Sequence, residues 1–377
     1  MVTCLLAACG AVPGRHLSSV VTVSQSEGIA FANAHQGWLV TTQGLFRTVD
    51  GGKAWTVETS APPLRSVVAV SDARLWGLTA TGFYLSNDGG RTWHESTEGS
   101  FINPDPVGTT SGYMVQQGAQ GDRLLQTNDG GQKWSVVAGA WSVAPSSQSD
   151  NTARVCMDAS GNGWALLRAV NGQSDTILGT ADGGHIWTTK VRIALPQDAS
   201  GSVGMVSCAK RSTSAWILVT GGTSLSEESY TVYLATGGAH GTVRPVLAVG
   251  TAAGGLPPGN PPSGISRSGP ANPIALQSTG DTSAIVLGAC GSCGTYGSMR
   301  VSVTQDAGAH WQVNVVQGAV PGCRVAACVT RGGGQVWLLA GKSASRETSG
   351  STPILPMLFW SVHGNRWHAM LSSNGKS

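Results

Sequence analysis

Short apolar segments, most of them carrying an aromatic residue near the start, recur seven times along the chain. They are bounded by Gly, Asp, Asn and Ser, which is typical of β-strands followed by turns. The seven segments begin at Gly37, Leu75, Gly112, Gly163, Ala215, Ala284 and Val336. None approaches the ~20 apolar residues of a membrane-spanning helix. The pattern therefore predicts an all-β protein built from a repeated unit.

A second pattern follows five of these segments. It consists of Ser or Thr, one variable residue, Asp, two small residues, two further residues and Trp. The copies contain Asp50 and Trp55, Asp88 and Trp93, Asp129 and Trp134, Asp182 and Trp187, and Asp306 and Trp311. This is the Asp box, also called the bacterial neuraminidase repeat. Worn copies stand at residues 361–367 and 235–238.

The residue types of this motif predict a structural role. Asp can accept hydrogen bonds from nearby backbone N–H groups, and Gly tolerates the positive φ of a tight turn. The Ser or Thr hydroxyl can tie the strand end to that turn, and the Trp ring can pack over it. Because each Asp would lie on a separate repeat, we expect a turn that joins two strands rather than a catalytic or metal site.

The repeats predict a seven-bladed β-propeller of four-stranded antiparallel blades over residues 26–373. Asp50, Asp88 and Asp129 are separated by 38 and 41 residues (88 − 50 and 129 − 88), close to the ~40–50-residue period of propeller blades. The Pro- and Gly-rich residues 250–273 are expected to form an exposed loop between the fifth and sixth blades.

The composition changes this picture little. Charged residues make up 11 % of the chain and the formal net charge is +3, which is too small to indicate binding to nucleic acid. The 53 Gly residues fit a protein with many turns. No cofactor or metal is predicted.

The first residues suggest export. Leu6-Ala-Ala-Cys9 resembles the site at which a bacterial signal peptidase cuts before a Cys that becomes lipidated. Residues 1–9 are then the truncated end of a lipoprotein-type signal, and residues 10–25 are a tether or, at 20–23, a ring-closing strand. The alternative is a chance match. We expect an extracytoplasmic, lipid-anchored protein.

Two cysteines stand at equivalent places in neighbouring repeats. Cys156 lies eight residues before Trp164, and Cys208 lies eight residues before Trp216. Both fall in the predicted first strand of a blade, so a disulfide between the fourth and fifth blades is feasible.

Four further cysteines remain, at Cys290, Cys293, Cys323 and Cys328. The first two form a C-x-x-C in a turn-rich segment, where a local disulfide is expected. The alternative is a zinc site of all four thiolates, since the sixth and seventh blades are neighbours.

Segments such as 44–55, Gly-Leu-Phe-Arg-Thr-Val-Asp-Gly-Gly-Lys-Ala-Trp, resemble the photosystem II assembly and stability factor family of cyanobacteria and chloroplasts. The resemblance runs through the repeat motifs over nearly the whole chain. It implies a non-enzymatic seven-bladed propeller that acts as a protein-binding or assembly scaffold. We expect a monomer whose partner is another protein or a cell-envelope component, and membrane contact only through the lipid.

The alternative function is a glycoside hydrolase, because sialidases and some xyloglucan-cleaving enzymes share the Asp box. A sialidase needs three Arg, a Tyr nucleophile and a Glu partner; the nearest such cluster contains Glu227, Glu228 and Tyr230, in an expected hairpin tip. A xyloglucanase needs two Asp across a cleft. Candidates outside the boxes are Asp72, Asp122, Asp158, Asp175 and Asp281.

Overall fold

The described part of the chain begins at Ser26. The structure, a computed structural model, describes residues 26–41, 43–118, 121–137, 153–169, 172–196, 204–209, 213–224, 227–251, 255–270, 272–289, 299–316, 329–332, 335–343, 354–362 and 364–369. The predicted signal with Cys9, the tether at 10–25 and the strand at 20–23 lie outside these residues.

Seven four-stranded antiparallel sheets follow one another along the chain, and each is called a blade here. Blade 1 contains β1 (Ser26–Phe31), β2 (Gly37–Thr41), β3 (Gly44–Thr48) and β4 (Thr56–Glu58). Blade 2 contains β5 (Ser66–Ala69), β6 (Leu75–Leu78), β7 (Gly82–Ser86) and β8 (His94–Glu98). Blade 3 contains β9 (Ser100–Pro106), β10 (Gly112–Gln117), β11 (Arg123–Thr127) and β12 (Ser135–Val136). Blade 4 contains β13 (Ala153–Met157), β14 (Gly163–Arg168), β15 (Ser174–Thr180) and β16 (Thr188–Ala194).

Of the remaining blades, blades 5 and 7 have longer second and third strands, of eight to ten residues. Blade 5 contains β17 (Met205–Cys208), β18 (Ala215–Ser224), β19 (Glu227–Thr236) and β20 (Thr242–Val249). Blade 6 contains β21 (Pro273–Ser278), β22 (Ala284–Ala289), β23 (Met299–Thr304) and β24 (Gln312–Val315). Blade 7 contains β25 (Val329–Gly332), β26 (Gln335–Ser343), β27 (Ile354–Ser361) and β28 (His368–Ala369).

The blades form a closed ring. The first strand of each blade lies inside, because first strands pack against one another, and β1 of blade 1 packs against β25 of blade 7. The all-β propeller with four-stranded antiparallel blades is confirmed. The described residues contain one helix, a single 3₁₀ turn at Gly238–His240, and no helix long and apolar enough to cross a membrane.

The two ends of the ring differ in their connections. In each blade the turn between the first and second strands lies at the same end as the turn between the third and fourth. Backbone hydrogen bonds join the two turns, for example from Gly89 N–H to the Ala73 carbonyl (2.7 Å) and from Gly130 N–H to the Thr110 carbonyl (2.6 Å). We call this end the turn face, and the opposite end, where chain segments pass from blade to blade, the return face.

The core lies between neighbouring blades. The Trp residues of the second strands are its largest fully buried side chains: Trp38, Trp76, Trp164, Trp216 and Trp337. Trp76 of blade 2, for example, packs with Phe101 and Met114 of blade 3. Burying aromatic surface against the next sheet is the main source of stability for each blade.

The Pro- and Gly-rich loop differs from its expected exposure. In its described part, residues 255–270, Leu256 is exposed, but Pro257, Pro258 and Pro261 are buried. The Pro258 carbonyl accepts a hydrogen bond from Thr231 Oγ1 at 2.8 Å, and Ala248 N–H donates to the Ser266 carbonyl at 2.9 Å. The loop is packed against blade 5 because the long third and fourth strands of that blade offer it buried partners.

Candidate functional site

The Asp motifs form one repeated turn, called the Asp turn here. At Asp88, Oδ1 accepts hydrogen bonds from Ser86 Oγ (2.9 Å) and from the backbone N–H of Arg91 and Thr92 (3.0 and 2.9 Å). Oδ2 accepts from Thr92 Oγ1 at 2.6 Å, and Ser86 Oγ in turn accepts from Gly90 N–H at 2.8 Å. The carboxylate therefore holds the turn closed from within.

The same geometry recurs in blades 1, 3, 4 and 6. The Thr hydroxyl donates to the Asp carboxylate at Asp50, Asp129, Asp182 and Asp306 over 2.8–3.0 Å. Partial burial alone would raise the pKa of Asp88, but the hydrogen bonds from Thr92 and its neighbours lower that pKa to about 2. Hydrogen bonds from His310 lower the pKa of Asp306 to about 2 as well. Each carboxylate is therefore bonded within its own turn.

The Trp that ends the motif has two kinds of partner. The indole N–H groups of Trp55, Trp93 and Trp187 donate to the carbonyl of the second Gly in their own turn, over 2.7–3.1 Å. Trp311 instead donates to the Val246 carbonyl of blade 5 at 3.1 Å. Trp134 Nε1 is buried without a partner among the described residues. The rings of Trp55 and Trp187 lie against the second Gly of their own turn, and the indole donor is used differently from blade to blade.

Two of the second-strand Trp residues connect neighbouring blades through the Asp turns. Trp38 Nε1 donates to the Gly89 carbonyl of blade 2 at 2.9 Å, and Trp76 Nε1 donates to the Gly130 carbonyl of blade 3 at 3.0 Å. The Asp turns of blades 2 and 3 are thereby docking points for the blade before them, whereas Trp164 Nε1 donates to the Thr213 carbonyl of blade 5 at 3.0 Å instead. The sequence showed both motifs but not this contact between them.

Cys156 and Cys208 form a disulfide between the inner strands β13 and β17, with a Cα–Cα distance of 5.6 Å. The bond joins blades 4 and 5, in agreement with the equivalent positions of the two residues in the sequence. Cys290, Cys293, Cys323 and Cys328 lie outside the described residues, which contain no group of three metal-ligating side chains.

The Asp residues considered for a hydrolase have structural partners. Asp72 Oδ1 accepts from Asn33 Nδ2 of blade 1 at 2.8 Å. Asp158 Oδ1 accepts from the N–H groups of Ser160 and Asn162 in its own turn. Asp175 is fully buried and forms a bidentate ion pair with Arg168, at 2.8 and 3.0 Å. Burial raises the pKa of Asp175, although the hydrogen bond and charge of Arg168 act against this effect.

The two remaining candidates are not brought together with these. Asp281 is exposed in the turn between β21 and β22. Asp122 is buried before β11, and its charge acts on Arg154 of β13. Burial lowers the pKa of Arg154 to about 10, and Asp122 opposes the change.

The inner strand of blade 3 holds two polar residues that sequence reasoning missed. Asp105 Oδ2 accepts from Met157 N–H of blade 4 at 2.8 Å, and Asn103 Nδ2 donates to the Ala153 carbonyl at 3.2 Å. Asn103 has a φ of 52° in a bulge, where the pairing of β9 with β10 shifts register. The bulge turns these side chains towards β13, so they join two blades. An Asn next to a Pro was the only sequence signal for it.

Tyr–Glu pairing occurs, but not where the sequence suggested it. Tyr230 is fully buried in β19, its hydroxyl donates to the Pro270 carbonyl at 2.9 Å, and burial raises its pKa well above the ordinary value. On the outer strands of blade 2, Tyr84 is hydrogen-bonded to Glu95; partial burial and this bond raise its pKa. A raised pKa disfavours the tyrosinate that a nucleophile requires.

An open cleft of about 440 Å³ lies on the turn face between blades 2 and 3. Its walls are the turns 70–74 and 109–110, with Asn87 from the Asp turn of blade 2. Arg74 projects between them: its Nε donates to Asn87 Oδ1 at 3.0 Å, and its Nη1 donates to the Thr109 carbonyl at 2.8 Å. We call this the Arg74 cleft; no single segment of the sequence indicated it.

Solved structures with the same fold include proteins of different function. YCF48 from Cyanidioschyzon merolae is 16 % identical, with a TM-score of 0.52 over 92 % of this chain and 96 % of that one. YCF48 bound to D1 peptide is 15 % identical, with a TM-score of 0.51 over 93 % and 96 %. The GH74 enzyme of Niastella koreensis is 14 % identical, with a TM-score of 0.50 over 94 % of this chain and 60 % of the enzyme. At these identities the likeness shows the fold alone.

Sequence comparison gives the family. Curated protein sequences contain no match to this chain. The family model described as the DUF6242 beta propeller domain matches residues 19–244, which run from just before β1 into β20. Since this match covers more than half of the chain, the protein belongs to the DUF6242 beta propeller domain family.

Proposed function

We propose that this chain is a non-enzymatic propeller that binds another protein outside the cytoplasm. The observation that carries the proposal is that its candidate catalytic side chains form hydrogen bonds or ion pairs within the protein itself. Asp158 and Asp175 are bonded within blade 4, Asp105 joins two blades, and the hydroxyl of Tyr230 is buried against a backbone carbonyl. A hydrolase needs such groups free to reach a substrate.

Two further observations support protein binding. The ring presents a rigid turn face, since each Asp turn is fixed by its own carboxylate, and rigid scaffolds with surface turns are common binding surfaces. A protein of the same fold, YCF48, has been solved with a bound D1 peptide. By analogy with that protein we assign a protein or cell-envelope component as the partner.

The proposed location rests on the cysteines. The Cys156–Cys208 disulfide is typical of proteins that fold in an oxidising compartment. Together with the lipidation motif at Cys9, this supports an extracytoplasmic monomer anchored to the membrane by lipid.

Photo-crosslinking tests the binding function. A photoreactive residue at exposed Thr110 on the turn face, and a matched one at exposed Ala80 on the return face, are introduced into the full-length gene with its native upstream codons. In intact cells we expect a discrete crosslinked protein from position 110 and none from position 80. Mass spectrometry of the N-terminal peptide reports on Cys9.

The alternative, a glycoside hydrolase, is tested on the same purified protein. Xyloglucan and sialyl-lactose are incubated with the wild type, and released sugars are measured. A control reaction contains no protein. Release of sugar by the protein above the level of this control would overturn the non-enzymatic assignment. Absence of any crosslink from either face would overturn the binding assignment.

A further inference from the structure

Arg74 occupies a position at which the other blades carry neutral residues. It lies two residues before Trp76, the aromatic residue of the second strand. The equivalent residues of the other blades are Gln36, Ser111, Asn162, Ser214, Ser283 and Gln335. Gln36 donates to the Asp72 carbonyl and Asn162 to Asp158, so a neutral amide meets the needs of the fold at this place. The positive charge of Arg74 is therefore not explained by the fold.

The guanidinium of Arg74 is held in a fixed orientation. Its Nε and Nη1 are bonded to blade 2 and blade 3 respectively, through Asn87 and Thr109. It lies against Gly130 of the blade 3 Asp turn, where a Cβ would collide with Nη1. Gly130 has a φ of 81°, so the turn favours glycine there for a second reason. Because two hydrogen bonds and the contact with Gly130 already fix this side chain, binding through it costs less conformational entropy.

No ion pair neutralises the charge of Arg74 within the part of the chain that the structure describes. Among the described residues no carboxylate forms an ion pair with it, and its Nη2 donates to none of them. The nearby Asp72 carboxylate is engaged by Asn33 of blade 1. The cleft around Arg74 has a volume within the range of ligand pockets and is lined by small and hydroxyl-bearing residues: Val70, Ser71, Ala73, Thr109 and Thr110.

We infer that the Arg74 cleft binds a carboxylate group of a partner peptide. A guanidinium pairs well with a carboxylate, and the threonine hydroxyls of the wall can donate to the same group. The inference rests on the proposed protein-binding function and places its anchoring contact on the turn face, between blades 2 and 3. The carboxylate comes either from an Asp or Glu side chain or from a chain terminus.

The test uses the full propeller and three short peptides. Acetyl-Ser-Asp-Glu-Ser-amide carries side-chain carboxylates, acetyl-Ser-Ser-Ser-Ser with a free terminus carries a terminal one, and acetyl-Ser-Asn-Gln-Ser-amide carries none. Binding is followed by NMR through the backbone amide signals of Thr109 and Thr110. We expect at least one acidic peptide to bind saturably, more weakly at higher salt, and the neutral peptide not to bind.

Two variants locate the site. Arg74→Gln installs the residue type that blade 1 carries, and we expect about tenfold weaker binding, the equivalent of losing one charge-assisted contact. Arg123→Gln removes the same charge from an exposed site on the return face and should leave binding unchanged. Equal binding by wild type and Arg74→Gln, or binding of the neutral peptide, would overturn the inference.

The crosslinking experiment separates this site from the function itself. A protein captured at position 110 by both wild type and Arg74→Gln, with no acidic peptide bound, leaves the binding function in place and refutes the carboxylate site. Loss of that capture in Arg74→Gln, with capture by Arg123→Gln unchanged, supports both the protein-binding function and the carboxylate site.

Discussion

The indole N–H of Trp76 in blade 2 donates a 3.0 Å hydrogen bond to the Gly130 carbonyl in the Asp turn of blade 3. Trp38 makes the same contact one blade earlier, with Gly89. One tryptophan therefore fills the space between two sheets and also satisfies a buried carbonyl of the next turn. This arrangement links the two sequence motifs across the boundaries between blades 1 and 2 and between blades 2 and 3.

The contact predicts a difference between two tryptophans of equal burial. Trp76→Phe removes ring volume and the hydrogen bond, whereas Trp216→Phe removes ring volume only, since Trp216 Nε1 has no partner among the described residues. We expect Trp76→Phe to lower the free energy of unfolding by about 1–2 kcal/mol more than Trp216→Phe does. Urea denaturation of the two variants measures the difference, and equal losses would contradict the role given to this bond.

The Asp turns predict a dependence of stability on pH. The pKa of Asp88 in the folded protein is about 2, below its ordinary value of 3.8. The folded state therefore binds fewer protons, and the stabilisation is fully present above about pH 4 and is lost as the pH falls towards 2. At pH 7 we expect Asp88→Asn to lower the free energy of unfolding by about 1 kcal/mol. This is similar to the loss of a capping side chain and is small because the carboxylate is largely solvated.

Urea denaturation at pH 7 and pH 2.5 checks the prediction. The difference in the free energy of unfolding between wild type and Asp88→Asn should be smaller at the lower pH. The variant Asp281→Asn, at an exposed position, should not differ from wild type at either pH. Asp88→Asn should also leave partner capture at Thr110 unchanged, because the Asp88 carboxylate is bonded within its own turn. A gap that persists at pH 2.5 would show that the charge of Asp88 is not its source.

The sequence allowed the repeated strands, the Asp turns and the Cys156–Cys208 pair to be predicted because each depends on local or periodic information. The Thr or Ser, Asp and Gly of a turn are within a few residues of one another. The two cysteines could be paired because both are eight residues before a second-strand Trp. Periodicity converts equivalent positions in sequence into neighbouring positions in the ring.

The features that were missed depend on where different blades meet. The Arg74 cleft is made by turns of two blades, and the N–H of Trp311 bonds to Val246 of the preceding blade rather than to its own turn. The burial of Pro258 depends on Thr231 in the neighbouring strand of blade 5. No local propensity encodes these contacts, because they arise from the angle and spacing between sheets.

The disulfide predicts a redox-dependent stability. Cys156 and Cys208 are 52 residues apart, and closing a loop of this size stabilises a protein by about 2–4 kcal/mol through the entropy of the unfolded chain. Reduction of the wild type should lower the urea midpoint accordingly. The variant with both Cys156→Ala and Cys208→Ala should be as unstable as the reduced wild type and should respond little to reductant. A midpoint of the oxidised wild type equal to that of the double variant would refute the stabilising role.

The ion pair between Arg168 and Asp175 makes the last prediction. Asp175 is fully buried and Arg168 is 7 % exposed, so neither charge has water to replace its partner. Removing the Asp175 charge leaves the buried Arg168 without its ion-pair partner, and we expect Asp175→Asn to cost about 3–5 kcal/mol. Replacing both, with Arg168→Met and Asp175→Leu, removes the isolated charge as well and should recover most of that loss. Urea denaturation of the wild type, the single variant and the double variant measures the three free energies of unfolding and tests this prediction. If the double variant is as unstable as Asp175→Asn, the loss comes from the shape of the site rather than from an unpaired buried charge.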